Sequence, residues 1–163
     1  MARPLSITLE IEANELRRRI ALGDTAPVDT RKALQQLGVL CVFMPMQETF
    51  SGMCLKHKEK RFMLVNSKVA LGRQHFTIAH ELYHLYLDEN PHPHVCIRDG
   101  KKDRTEVLAD AFASALLLPR DGVLKAIPND EIKSRNVSLA TVFSLEQYFR
   151  VSHQSVVFRL KRL

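Results

Sequence analysis

The chain contains no tryptophan, and in 163 residues it has only six glycines, seven prolines and three cysteines. So little glycine and proline leaves no room for collagen-like or low-complexity architecture, and no stretch is rich enough in either to mark a linker. The cysteines, Cys41, Cys54 and Cys96, are odd in number and widely spaced. They form neither a disulfide framework nor a CxxC knuckle, so the expected compartment is a reducing one, the cytoplasm. No charged segment leads into an apolar signal core, and no stretch approaches the roughly 18 uninterrupted apolar residues of a membrane span. A soluble protein without membrane partners is expected, and no internal repeat is visible.

What is present is 45% apolar residues, enough for one hydrophobic core, so a single domain over residues 1–163 is expected. The formal charge is +6. The positive residues fall into separate patches at Arg17 to Arg19, Lys56 to Arg61, Lys101-Lys102 and Arg159 to Arg162, with no aromatic-rich surface between them. That spread favours solvated helix faces over direct nucleic-acid binding, with an acidic protein partner as the other option.

Periodicity predicts two N-terminal helices within residues 1–38. One lies in "IEANELRRRIALG", with Ile11, Leu16 and Ile20 on one face and a stop at Gly23; the other lies in "DTRKALQQLG", capped by Asp29 or Thr30 and ended by Gly38. The run "VLCVFMPM" reads as a buried strand, and "GMCLKH" with "RFMLVN" as the arms of a hairpin, giving a small antiparallel sheet of about three strands. "HFTIAHELYHLYLDE" follows as a helix with Thr77 as cap and Asn90-Pro91 as stop. A loop, "ENPHPHVCIRDGKKD", leads to a second helix, "RTEVLADAFASALLLP". The turn-rich "PNDEIKSRN" then leads to a helix pair over residues 138–163, broken near Val151-Ser152. This tail has the length and break of a helix-turn-helix, but Leu145, Phe149, Val156 and Leu160 favour packing on the domain. The fold class is α+β.

The chemistry concentrates in His80-Glu81-x-x-His84. On a helix, residues four apart share a face, so two imidazoles can hold one zinc ion while the intervening glutamate reaches its water without ligating the metal. Two ligands under-coordinate zinc, and the second helix offers Glu106 as a third, with Asp110 one turn on to orient a ligand histidine. Asp103 and Glu89 compete for the ligand role. His75 lies on the core-facing side and reads as a buried, hydrogen-bonded residue. The cluster His92-x-His94-x-Cys96 is weak as a separate metal site.

"RFMLVNSKVALGRQHFTIAHELYHLYL" followed by "EVLADAFASALLLP", with the tail "LEQYFRVSHQSVVFRL", resembles the ImmA/IrrE family of metallopeptidases over roughly residues 36–163. The resemblance implies a zincin-like helix bundle, one zinc per chain held by His80, His84 and Glu106, and Glu81 as catalytic base. Tyr83 departs from the family, which usually has glycine there, and a ring at that position would narrow or reshape the cleft. Glu81 would take a proton from the attacking water and pass it to the leaving amine, hydrolysing a peptide bond. Candidates for the oxyanion donor are Tyr83, Tyr86, His92, His94 and His153. The strand "RFMLVN" either presents an open edge to an extended substrate or is interior.

The family implies a regulatory substrate, an Xre-type or phage-type helix-turn-helix repressor whose cleavage derepresses genes. The region before the first strand is shorter than an Xre domain, so the repressor is expected to be a separate chain. The rival reading is a non-proteolytic regulatory or toxin-antitoxin module with a structural zinc or direct DNA contact. Glu81 speaks for catalysis, because a structural site has no use for a base beside its metal.

Overall fold

The structure, a computed structural model, describes residues 5–88, 93–97 and 103–163. Three strands come first: β1 (Val39–Met44), β2 (Phe50–His57) and β3 (Lys60–Asn66). β2 and β3 form the expected antiparallel hairpin with Cys54 opposite Met63, across a turn in which Lys58 is left-handed (φ 54°). The hairpin folds back so that β3 lies beside β1, and these two run parallel. A fourth strand, β4 (His94–Ile97), adds antiparallel to the other side of β2, giving the order β1-β3-β2-β4. The sheet is therefore mixed and four-stranded, not three-stranded and antiparallel. β4 was hidden within the histidine-containing loop because four residues are too few for alternation to register. "RFMLVN" is consequently interior, and the edge on this side belongs to β4.

One face of the sheet is covered by α3 (Leu71–Tyr86). Val39, Cys54, Met63 and Val65 are buried there, while Leu40, Val42, Met44, Leu55 and Val95 are exposed on other parts of the strands. Asn66, fully buried, closes the junction between sheet and helix: its Oδ1 accepts from the Met46 and Lys68 amides, and its Nδ2 donates to the Gln47 and Phe50 carbonyls. α3 starts at Leu71 with Ala70 as an N-cap that has no side-chain hydrogen bond, so Thr77 is not a cap. Thr77 is buried in the helix interior, its methyl turned to the sheet at Gly52.

α1 (Leu5–Arg19) starts earlier than periodicity suggests and buries Leu9, Ala13 and Leu16 along one stripe. Beyond it Ala21, at φ 52°, turns the chain left-handed before Gly23 is reached. In α2 (Thr30–Gln36) the Asp29 side chain accepts from the Arg31 and Lys32 amides, and Gly38 at φ 66° ends the segment as expected. α4 (Arg104–Leu117) packs between α3 and α1 with Phe112 wholly buried. The following segment holds two short helices, α5 (Arg120–Ala126) and α6 (Asn129–Ser134), the second of them within "PNDEIKSRN", expected to be turn-rich.

The tail forms α7 (Leu139–Phe149) and α8 (His153–Leu160), broken at the expected place, with Ser152 capping α8. Leu145, Phe149 and Val156 are buried in the common core. Two arginines expected on solvated patches are also buried. Arg17 donates to the carbonyls of Leu116, Gly23 and Ala26, and Arg159 donates to the Leu118 carbonyl and pairs with Glu10. Among the described residues no helix is long and apolar enough to cross a membrane.

Candidate metal centre

His80 and His84 project from adjacent turns of α3 with ring centroids 5.1 Å apart and their Nε2 atoms 3.3 Å apart. Glu106 comes from the first turn of α4, where Asp103, the N-cap, accepts from the Glu106 amide. Asp103 is thereby committed to the helix end, and Glu106 is the carboxylate that meets the imidazoles: its Oε2 is 3.4 Å from His80 Nε2 and its Oε1 3.3 Å from His84 Nε2. An ion held tetrahedrally at about 2.0–2.1 Å has donor atoms about 3.3–3.4 Å apart. The spacing between the imidazoles, and of each imidazole from one of the two Glu106 oxygens, equals the donor spacing of such a tetrahedron, so the donor set fits a small divalent ion.

The outer nitrogens are engaged as well. His80 Nδ1 lies 3.0 Å from Asp110 Oδ1, and His84 Nδ1 lies 3.1 Å from Asp88 Oδ2. Both contacts fix the tautomer that leaves Nε2 for a metal. Asp88 went unnoticed in the sequence, although its position four residues after His84, just past the end of α3, was a usable signal. Burial pulls the His80 pKa down, but hydrogen bonds to Asp110 and Glu106 outweigh it and raise the value to about 9. Carboxylates thus gather around a nearly inaccessible imidazole that holds a proton at neutral pH, and a dication would take that proton's place.

Glu81 is completely buried on the sheet side of the centre. It lies over Gly52, where an added β-carbon would be 3.9 Å from Glu81 Oε1 and only 2.5 Å from Thr77 Cγ2. Cys54 lies on the same strand, and its thiol pKa is pushed far up, first by burial and then by the charge of Glu81 and a hydrogen bond to it. β4 brings Cys96 opposite Gly52, so that potential ligand atoms of His80, Glu81 and Cys96 lie within 4.8 Å of one another. Sequence reasoning had grouped Cys96 with His92 and His94 instead; its approach to Glu81 depends on strand pairing that short motifs do not encode.

The remaining candidates are dispersed. Tyr83 is buried, its ring centroid 5.8 Å from that of Phe112 and 5.6 Å from that of His84, so the ring expected to narrow the cleft packs between α3 and α4. Tyr86 donates its hydroxyl to the Leu37 carbonyl at 2.8 Å and lies under the guanidinium groups of Arg19 and Arg61. His153 pairs with Glu146 between the tail helices. His94 belongs to β4, whereas His92 and Glu89 lie outside the described residues. His75 is buried with Nδ1 2.9 Å from the Arg150 carbonyl, as its core-facing position suggests.

Comparison with known families matches residues 34–161 to the M78 peptidases, described as the IrrE N-terminal-like domain. The chain belongs to this family. Its α+β, zincin-like fold is consistent with that membership. No curated protein gives a significant match. Among solved structures, a Mycobacterium tuberculosis transcriptional regulator is similar, with 17% sequence identity and a TM-score of 0.59 over 94% of this chain and 46% of the other. The M78 domain therefore spans less than half of that regulator, and the likeness concerns the fold.

Proposed function

We propose that this M78 domain is a zinc-dependent endopeptidase that cleaves a separate Xre-type helix-turn-helix repressor in the cytoplasm and thereby derepresses genes. The observation that carries this reading is the meeting of His80, His84 and Glu106 at 3.3–3.4 Å, beside a buried Glu81. When bound, zinc supplies Lewis-acid chemistry, lowering the pKa of water and polarising the scissile carbonyl.

The protein's own groups supply the rest. Asp110 and Asp88 hold the imidazoles in orientation, and Glu81 takes the proton of the attacking water and delivers it to the leaving amine. β4, at the sheet edge, offers backbone groups to an extended peptide. The rival reading of the tail as a DNA contact is disfavoured by the burial of Leu145, Phe149, Val156 and Arg159.

The test is incubation of the zinc-loaded protein with the repressor encoded by a neighbouring reading frame, followed by sizing of the products. Wild type is expected to yield two fragments, and Glu81→Gln to retain one metal per chain while cleaving about 100-fold more slowly or less. Equal cleavage by the two proteins would end this reading.

A further inference from the structure

The sheet has a second apolar face, on the side away from the metal centre. Side chains alternate along a strand, so the neighbours of Val39, Cys54, Met63 and Val65, which are buried on the α3 side, point the other way. Register aligns them in two rows: Leu40 beside Phe62 beside Leu55, and Val42 beside Leu64 beside Met53. Leu40 is 66% exposed, Val42 and Leu55 are exposed as well, and Phe62, Leu64 and Met53 are half-buried between them. Met53 pairs in turn with Val95, exposed on β4, so the second row runs unbroken to the strand edge that offers backbone groups to a peptide. A contiguous exposed apolar patch marks an interaction site. Its hairpin end is basic: Lys56, Lys58 and Lys60 are all exposed there, with Glu59 the one carboxylate among them.

Resting on the peptidase reading above, we propose that this outer sheet face is an exosite, a surface that binds the substrate protein away from the bond that is cut. It receives an amphipathic helix of the repressor whose acidic flank meets the hairpin lysines. An apolar sheet face is buried against a further layer, and α3 already provides a helical layer on the inner side. Carboxylates on the incoming helix complement the three lysines, steering encounter and fixing its direction along the rows. Continuity with β4 makes the substrate the occupant: a peptide paired with that edge lies at the end of the second row, so the chain flanking the scissile bond reaches the outer face directly.

The test compares two substrates of the zinc-loaded protein: the intact repressor encoded by the neighbouring reading frame, and a short peptide spanning the bond that the fragment masses identify. Leu40→Asp and the charge reversal Lys58→Glu/Lys60→Glu should each raise KM for the intact repressor at least tenfold with kcat unchanged. Both should cleave the peptide as wild type does, which also shows that they fold. The reversal alters exposed residues alone and carries the test if Leu40→Asp does not fold. Wild-type KM for the intact repressor should rise with salt, and that for the peptide should not. A wild-type KM for the intact repressor in both variants overturns the exosite and leaves the peptidase standing. So does a wild-type dimer in sedimentation that Leu40→Asp dissociates, or binding to phosphatidylglycerol vesicles that Leu40→Asp abolishes, because a second copy or a lipid surface then covers the face. Wild type that cleaves neither substrate overturns both readings.

Discussion

Asp110 and Asp88 perform one task from two different elements. Each holds the outer nitrogen of an imidazole, but Asp110 does so across the α3–α4 packing and Asp88 does so from just past the end of α3, four residues along the chain. Such partners typically change metal affinity 10- to 100-fold. Asp110→Ala should weaken zinc binding by about that factor in competition with a chelator; an unchanged affinity would show that the contact does not orient His80. His75 supplies a separate effect of pH. Burial lowers its pKa, partly offset by its bond to the Arg150 carbonyl, so the unfolded chain takes up a proton that the folded histidine resists. Its stabilising contribution is present above about pH 6.5 and is lost as pH falls through the lowered folded value. Thermal melts at successively lower pH should fall less steeply for His75→Gln than for wild type, and parallel curves would contradict this origin.

At the scale of elements, the centre depends on how closely α3 approaches β2. Gly52 permits that approach, since a β-carbon there would stand 2.5 Å from Thr77 Cγ2 and 2.9 Å from the Leu64 carbonyl oxygen. Alanine is ordinarily the better strand residue, but here overpacking decides the sign. Gly52→Ala should destabilise by about 1–3 kcal/mol, read from the urea midpoint; a gain in stability would mean that the helix can move away without cost. The same contact explains why Thr77 misleads as a cap: a small β-branched residue before an apolar run suits a helix start and also suits a tight helix–sheet interface. Helix phasing, by contrast, needs only local spacing, which is why the imidazole pair was legible and β4 was not.

Across the whole molecule, distant segments are joined by buried guanidinium groups. Arg159 on α8 reaches the Leu118 carbonyl and pairs through two nitrogens with Glu10 on α1, while Arg17 on α1 reaches the Leu116 carbonyl. Glu10→Ala leaves Arg159 buried without its carboxylate, a loss of about 1.5–3 kcal/mol. Chemical denaturation measures that loss, and an unchanged midpoint would show that the pair does not tie the termini of the fold together. These arginines looked like solvated charge because sequence records charge but not the carbonyl ends that packing turns toward it.

Sequence by itself determined the features set by short range: the His80-x-x-x-His84 face, the glutamate between them, the Asp29 cap with its Gly38 stop, the β2–β3 hairpin and the break in the tail. Helical and strand periods are local, and a few neighbouring residues suffice to express them. Tertiary structure alone decided that Glu106 meets the imidazoles while Asp103 caps a helix, that β1 runs parallel to β3, and that β4 carries Cys96 to Glu81. Those meetings join segments far apart along the chain, and only the packing of α3 against both α4 and the sheet brings them within ångströms.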